Sequence, residues 1–166
     1  WYNRNCAVNP FLVEGKKTAG HEIAEQCGKE MPDWVAISVG DGCTIAGVWK
    51  GILEMKRLGF CDRLPRMLGV QAEGAAPITH AFKTKTPFRP CEASTFADSI
   101  CVGHPRNWRK ALASIEESHG AMVAVPDGTI VHAMRQTARL GGVFGEPAGV
   151  AAVAGVLQAR ADGVVG

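Results

Sequence analysis

The chain has 166 residues, of which 46% are hydrophobic and 20% charged, with a formal charge of +2. That balance fits a globular chain long enough to pack a core of its own and argues against a disordered or collagen-like one. The small charge gives no footing for nucleic acid or an acidic membrane as partner, and no apolar run reaches the length of a membrane span. The cysteines at 6, 27, 43, 61, 91 and 101 form no C-x-x-C pair and sit in apolar or glycine-flanked segments. Reduced, mostly buried thiols and a cytoplasmic protein are expected.

In chain order, WYNRNCAVNP reads as the exit of a strand into a loop, and Asn9-Pro10 closes the turn. A helix is predicted from Lys16-Lys17-Thr18 to Cys27, with Ala19, Ile23, Ala24 and Cys27 at helical spacing and Gly28 after its end. Pro32-Asp33 breaks the chain before an apolar strand, Trp34 to Val39. A helix follows to about Leu58, carrying Ile45, Val48, Trp49, Ile52 and Leu53 on one face, and Gly59 stops it. Arg66 to Gln71 is the next strand, apolar on both faces as suits a buried parallel strand. Ala75 to Lys83 reads as a short helix with Pro77 in its first turn, where proline is tolerated.

Lys83 to Pro90 is polar, basic and punctuated by proline, so an exposed, solvated loop is expected ahead of a binding site for an acidic ligand. Thr95 to Cys101 reads as a short helix. Asn107 to His119 reads as a longer one, with Trp108, Leu112 and Ile115 on one side and Gly120 ending it. Ala121 to Val125 is a strand, and Pro126-Asp127 is expected to cap a helix from Thr129 to Leu140. Glu146-Pro147 opens a last helix to about Ala161, so uniformly apolar that burial on most sides is expected. Val164-Val165-Gly166 looks like the start of another strand. Alternating strands and helices at this spacing give an α/β fold, an open parallel sheet with helices on both faces.

The stretch with the clearest chemistry is Gly40-Asp41-Gly42-Cys43-Thr44, between the first strand and its helix. A glycine turn there aims successive backbone N–H groups from a helix N-terminus, where an anion is stabilised. No Gly-Lys-Ser/Thr follows, and the glycine spacing of the dinucleotide fingerprint is absent. A phosphate cradle and a tight βα turn without ligand both fit. Asp41 is awkward beside a dianion unless it points away, or it caps the helix from Thr44 to Leu58.

Five blocks in order then resemble one family. VGDGCTIAGVWKG, preceded by NPFLVEGKKTAGHEIAEQ and followed by PRMLGVQAEGAAP, is similar to threonine synthase, of the fold-type II enzymes dependent on pyridoxal phosphate. VGHPRNWRKAL resembles the family's I-G-N-P-x-S-W stretch, and GVFGEPAGVAAVAGVL its E-P-A-S/G-A-A segment. The resemblance implies pyridoxal phosphate as cofactor, its phosphate held by Gly40, Asp41, Gly42, Cys43 and Thr44. The family's loop is usually G-x-x-G-N, and this chain departs from it at Cys43 and Thr44; backbone donors do not depend on side chains, and the Thr44 hydroxyl replaces an amide donor. It also implies a small amino-acid substrate, β- or γ-elimination and replacement, and a homodimer by family analogy. The family's Schiff-base lysine segment, its S/T-G-N-T loop and its T-G-x-G segment have no match here, so residues 1–166 are expected to be one α/β unit of a larger two-domain enzyme, inactive alone. The alternatives are a dehydratase or cysteate-synthase-like enzyme, or a non-catalytic phosphate-binding module on the same scaffold.

Glu14 to Thr18 match the family's E-G-x-K-T, which implies a tight turn behind the site. Lys16 and Lys17 are not taken as the Schiff-base lysine, because an exposed first-turn lysine makes a poor nucleophile. Glu73 and Glu146 either face the cleft or sit at helix N-termini. The histidines at 21, 80, 104, 119 and 132 show no metal-ligand spacing, and Ser38 and Ser118 have no partnered histidine. Before E-G-x-K-T the family carries a pattern close to N-S-x-N-P-x-R that contacts the phosphate of O-phosphohomoserine. Here its amide, hydroxyl and guanidinium positions are Cys6, Ala7 and Leu12, which predicts a preference for a substrate lacking that contact.

Overall fold

Three apolar runs pair side by side: Trp34–Ser38 (β1), Arg66–Ala72 (β2) and Ala121–Val125 (β3). In the computed structural model, which describes residues 1–166, they form a parallel sheet in the order β1-β2-β3, with Ile37 opposite Gly69 and Gly69 opposite Met122. The middle strand is covered on both faces, so Met67 to Ala72 are all buried. That is why β2 reads as a continuous apolar run rather than an alternating one.

The two faces of the sheet carry separate cores. On one face Val35, Met67 and Met122 pack with Lys17–Cys27 (α2), Cys43–Arg57 (α3) and Trp108–Glu117 (α5). Ile45, Ile52 and Ile115 are fully buried there, each worth about 1.5–3 kcal/mol relative to exposure. On the other face Leu68, Val70 and Val123 meet Asp127–Gly141 (α6) and Pro147–Ala161 (α7). A Cβ on Gly155 would lie 2.1 Å from Cγ2 of Val70, so α7 rests its backbone directly on the sheet. Pro77–Thr84 (α4) packs against β2 and β3 and begins with Pro77 at its first turn, as expected. The expected architecture, a parallel sheet with helices on both faces, is the one observed.

Several local expectations give way. The opening segment is not the end of a strand: Asn9 caps a short helix, Pro10–Glu14 (α1), its Oδ1 accepting the Phe11 N–H at 3.1 Å. Thr95 to Cys101 contains only a 3₁₀ turn, Asp98–Ile100. Asp127 does not cap α6, because its carboxylate accepts instead from the Thr95 hydroxyl and the Phe96 N–H. The chain leaves α5 through His119 at φ +52° rather than through Gly120. Val164 and Val165 start no strand, since both N–H groups turn back to the Ala159 carbonyl. α7 buries one side only, and Val153, Val156 and Leu157 stay 37–43% exposed on the other.

Two surface features fix segments around the future site. Phe88 stacks on Trp108 with ring centroids 4.7 Å apart, so the basic loop before it is anchored to α5. Between α1, α2 and α3, Lys17 bridges Glu14 at 2.9 Å and Glu54 at 3.0 Å, while Lys50 reaches Glu14 and His21 reaches Glu54. The Lys50 and then the Lys17 hydrogen bonds hold the Glu14 carboxyl down at about 2. Lys17, followed by His21, lowers that of Glu54.

Candidate functional site

The site grows from the carboxyl end of β1. Val39 still pairs with the sheet, its N–H donating to the Val70 carbonyl at 2.7 Å. The chain then turns at Gly42, which caps α3 at φ +89°, a conformation open to glycine and strained for other residues. A Cβ on Gly42 would lie 3.0 Å from both the Asn107 carbonyl oxygen and Cβ of Ala111; one on Gly40 would lie 3.0 Å from Cα of Ile100. Both glycines therefore let residues 99–111 close over the loop, a reason beyond the backbone's approach to an anion. The first N–H of the helix taken by the protein is that of Ala46, by the Gly42 carbonyl at 3.4 Å. Those of Cys43, Thr44 and Ile45 have no acceptor in the chain, as the first turn of a helix requires.

Asp41 does not cap α3. Its Oδ1 accepts the Arg106 N–H at 2.6 Å, and its Oδ2 accepts from Asn107 Nδ2 at 2.8 Å and from the Cys6 thiol at 2.7 Å. The carboxylate is thus turned toward the segment that closes over the loop. Desolvation, followed by the hydrogen bond to Asp41, pushes the Cys6 thiol up to about 12. Cys43 lies beside this pair, with the Cys6, Asp41 and Cys43 donor atoms all within 4.8 Å of one another.

A second helix N-terminus arrives from the far end of the chain. The Ser38 hydroxyl accepts the Ala152 N–H at 2.9 Å and faces the Gly149 carbonyl at 3.4 Å, which docks the first turn of α7 on the end of β1. The result is a cavity of about 420 Å³ lined by all five loop residues, Gly40 to Thr44, and by Lys16, Ser99, Glu146, Ala148 and Gly149 among others. Two helix N-termini and one lysine make it a place for a small anion. Glu146 is the carboxylate on its wall besides Asp41.

The sequence-predicted residues are therefore partly brought together. Gly40 to Thr44 and Glu146 share the cavity. Glu73 does not; it lines a separate groove of about 610 Å³ with Thr79, His80, Lys83, Arg89 and Cys91. Next to that groove the buried Gln71 accepts the Thr79 N–H at 2.9 Å and the Thr79 hydroxyl at 3.1 Å. Lys16 was expected behind the site and stands on its wall, whereas Lys17 is held outside by Glu14 and Glu54. Ser99 and Gly149 were missed, and Ser38 was read only as a nucleophile without a histidine partner. For Ser38 a signal existed: it is the one hydroxyl in an otherwise apolar strand.

Comparison with known proteins gives the family of the chain. The chain is 42% identical over 162 residues to threonine synthase of Methanosarcina acetivorans, covering 96% of this chain and 40% of that protein. It is 43% identical over 154 residues to threonine synthase of Synechocystis sp., covering 93% and 38%. Its fold superposes on the processed form of threonine deaminase isoform 2 from Solanum lycopersicum with a TM-score of 0.71 at 27% identity, over 89% of this chain and 40% of that one. The chain spans about 40% of the length of the curated relatives it matches. A family described as pyridoxal-phosphate dependent enzyme matches every residue from 1 to 166, and the chain belongs to that family, in its fold-type II branch.

Proposed function

We propose that the chain carries the cofactor-phosphate site of a threonine synthase-like enzyme, with Gly40, Asp41, Gly42, Cys43 and Thr44 as the cradle. The observation that carries this is the set of unpaired N–H groups at Cys43, Thr44 and Ile45, opening on a cavity that also receives the start of α7 and Lys16. These groups suit a phosphate: backbone N–H and an ammonium give charge-assisted hydrogen bonds, and the Thr44 hydroxyl adds a donor. Asp41, engaged by three donors, turns its carboxylate toward the loop's closing segment. When bound, pyridoxal phosphate supplies the electron sink for elimination and replacement at a small amino acid. The residues of this chain bind its phosphate and fix its place against the sheet.

In this reading no lysine of the chain is the covalent partner of the cofactor. Lys17 is kept charged by Glu14 and then Glu54, which raise its pKa, so it is a poor nucleophile. Residues 1–166 then act as one α/β unit of a two-domain, homodimeric enzyme. The six free cysteines suit a cytoplasmic setting. Binding of pyridoxine 5′-phosphate, which carries the phosphate but cannot bond to lysine, tests the cradle by calorimetry. Lys16→Gln is expected to weaken it by about 10-fold or more, the worth of one charge-assisted bond. Equal affinity in the variant and the parent would move the phosphate elsewhere.

For the substrate, the departures at Cys6, Ala7 and Leu12 favour one without the phosphate contact made in that region by threonine synthases. Cys6 is engaged with Asp41, Ala7 is exposed, and Leu12 sits on α1. Steady-state kinetics on the full-length enzyme should therefore give a low kcat/KM for O-phosphohomoserine relative to serine, threonine or O-phosphoserine. A value far above theirs would make it an ordinary threonine synthase.

A further inference from the structure

We infer that Cys6, Asp41 and Cys43 form a site for a soft divalent cation of the Zn²⁺ or Cd²⁺ class, set in the wall of the cavity. No spacing in the sequence announces it, because Cys6 comes from the turn before α1 while Asp41 and Cys43 flank Gly42. The fold brings their donor atoms within 4.8 Å of one another. Bonds of about 2.3 Å to sulfur and 2.0–2.2 Å to oxygen place tetrahedral ligand atoms roughly 3.5–3.8 Å apart, so the Cys6 sulfur must swing away from Asp41 Oδ2 by about 1 Å to admit the ion, a rotation its half-buried side chain allows. The Cys6 thiol already points at Asp41 Oδ2 from 2.7 Å, so sulfur and carboxylate are turned toward one another before any ion binds.

The carboxylate is prepared in the manner of a metal ligand. The Arg106 N–H and Asn107 Nδ2 hold it from outside, the arrangement by which outer groups orient a ligand and tune its affinity. Two sulfurs among three donors select a thiophilic ion and disfavour Mg²⁺ or Ca²⁺, which take oxygen shells. Binding exchanges protons for the cation: both thiols release theirs, two thiolate bonds and one carboxylate bond form, and no electron is transferred. The first shell then carries a net charge of −1 beside the N-terminus of α3, where negative charge is favoured. Asp41 and Cys43 both line the cavity, so the fourth position opens onto it and takes water or an anion. All three residues are only half-buried, which leaves an entry path.

The same cluster could be no more than a thiol hydrogen-bonded to a carboxylate, and titration separates the two. The full chain, reduced with a phosphine and freed of metal, is titrated with Cd²⁺ while absorbance and proton release are followed. One Cd²⁺ should bind with the ultraviolet charge-transfer band of two thiolates and release about two protons. Cys6→Ser and Cys43→Ser should each weaken this event by about 100-fold, and Asn107→Ala, an outer-shell change, by about 10-fold. Cys91→Ser, at an exposed thiol outside the cluster, should leave it unchanged. A second measurement needs no variant: saturating Zn²⁺ should protect Cys6 and Cys43 of the parent protein from alkylation while Cys91 continues to react. Cadmium binding unaltered in both serine variants, or alkylation of Cys6 and Cys43 indifferent to Zn²⁺, would overturn the site.

Discussion

Ser38 and Ala152 are 114 residues apart in the chain, yet the Ser38 hydroxyl accepts the Ala152 N–H at 2.9 Å. That one side chain joins the end of β1 to the first turns of α7, and through them the glycine loop to the other wall of the cavity. Ser38→Ala removes this hydrogen bond between the end of β1 and α7. A loss of roughly 1–2 kcal/mol is expected, read as a lower urea midpoint, with faster amide exchange at Ala152. An unchanged midpoint would mean that apolar contacts alone hold α7 in place.

Gly42→Ala introduces a Cβ at φ +89° and within 3.0 Å of the Asn107 carbonyl oxygen and the Ala111 side chain. The strained backbone costs about 1–3 kcal/mol, and the closing segment must also shift. Thermal unfolding should report the loss, and pyridoxine 5′-phosphate affinity should fall with it. Parent-like stability would show that the loop relaxes without cost.

The ion pairs around α1, α2 and α3 predict a pH dependence with a definite sign. Glu14 titrates at about 2 in the folded protein against an ordinary 4.5, and Glu54 is lowered too. Carboxyls lowered on folding stabilise fully above their unfolded value. That stabilisation should decline as pH falls below about 4.5 and be gone once pH has passed below the folded value near 2. Glu14→Gln should flatten this part of the stability-against-pH curve, as should high salt, because the pairs are solvent-exposed. An identical slope in the variant would assign acid sensitivity to other groups.

Asp41→Asn removes the charge that receives the Arg106 N–H, Asn107 Nδ2 and the Cys6 thiol. A hydrogen bond to a charged group contributes about 1.5–3 kcal/mol, so the segment over the loop should loosen measurably. Hydrogen exchange at the Arg106 amide should speed up while amides in the middle of β2 keep their protection. Uniform acceleration across the sheet would instead indicate global destabilisation.

Much of this architecture is legible in the sequence because β2 is flanked on both faces and α3 shows its apolar face at regular spacing. The turn into α3 was legible for the same local reason: its glycines bracket a strand end and a helix start. Other features depend on neighbours far along the chain. The exposed Val153, Val156 and Leu157 look like core residues in an apolar string, since nothing local says which side of α7 meets Val70. Lys16 and Lys17 are adjacent, but one faces the cavity and the other an ion-pair network. The short helix α1 was legible and overlooked, because Asn9-Pro10 is an N-cap followed by a first-turn proline.

The three donors to Asp41 lie 35, 65 and 66 residues from it along the chain. The loop therefore cannot take its final shape by local folding. During synthesis at about 5–20 residues per second, Gly40 to Thr44 leave the ribosome several seconds before Arg106 and Asn107 exist to hold them. The helices α2 and α3 can pack together in that interval, since each is the other's main partner and they are near neighbours in the chain. The cradle is a late product of folding, and long-range closures of this kind slow it. Refolding followed by a probe at the loop should lag behind recovery of helical signal, and Asn107→Ala should lengthen that lag.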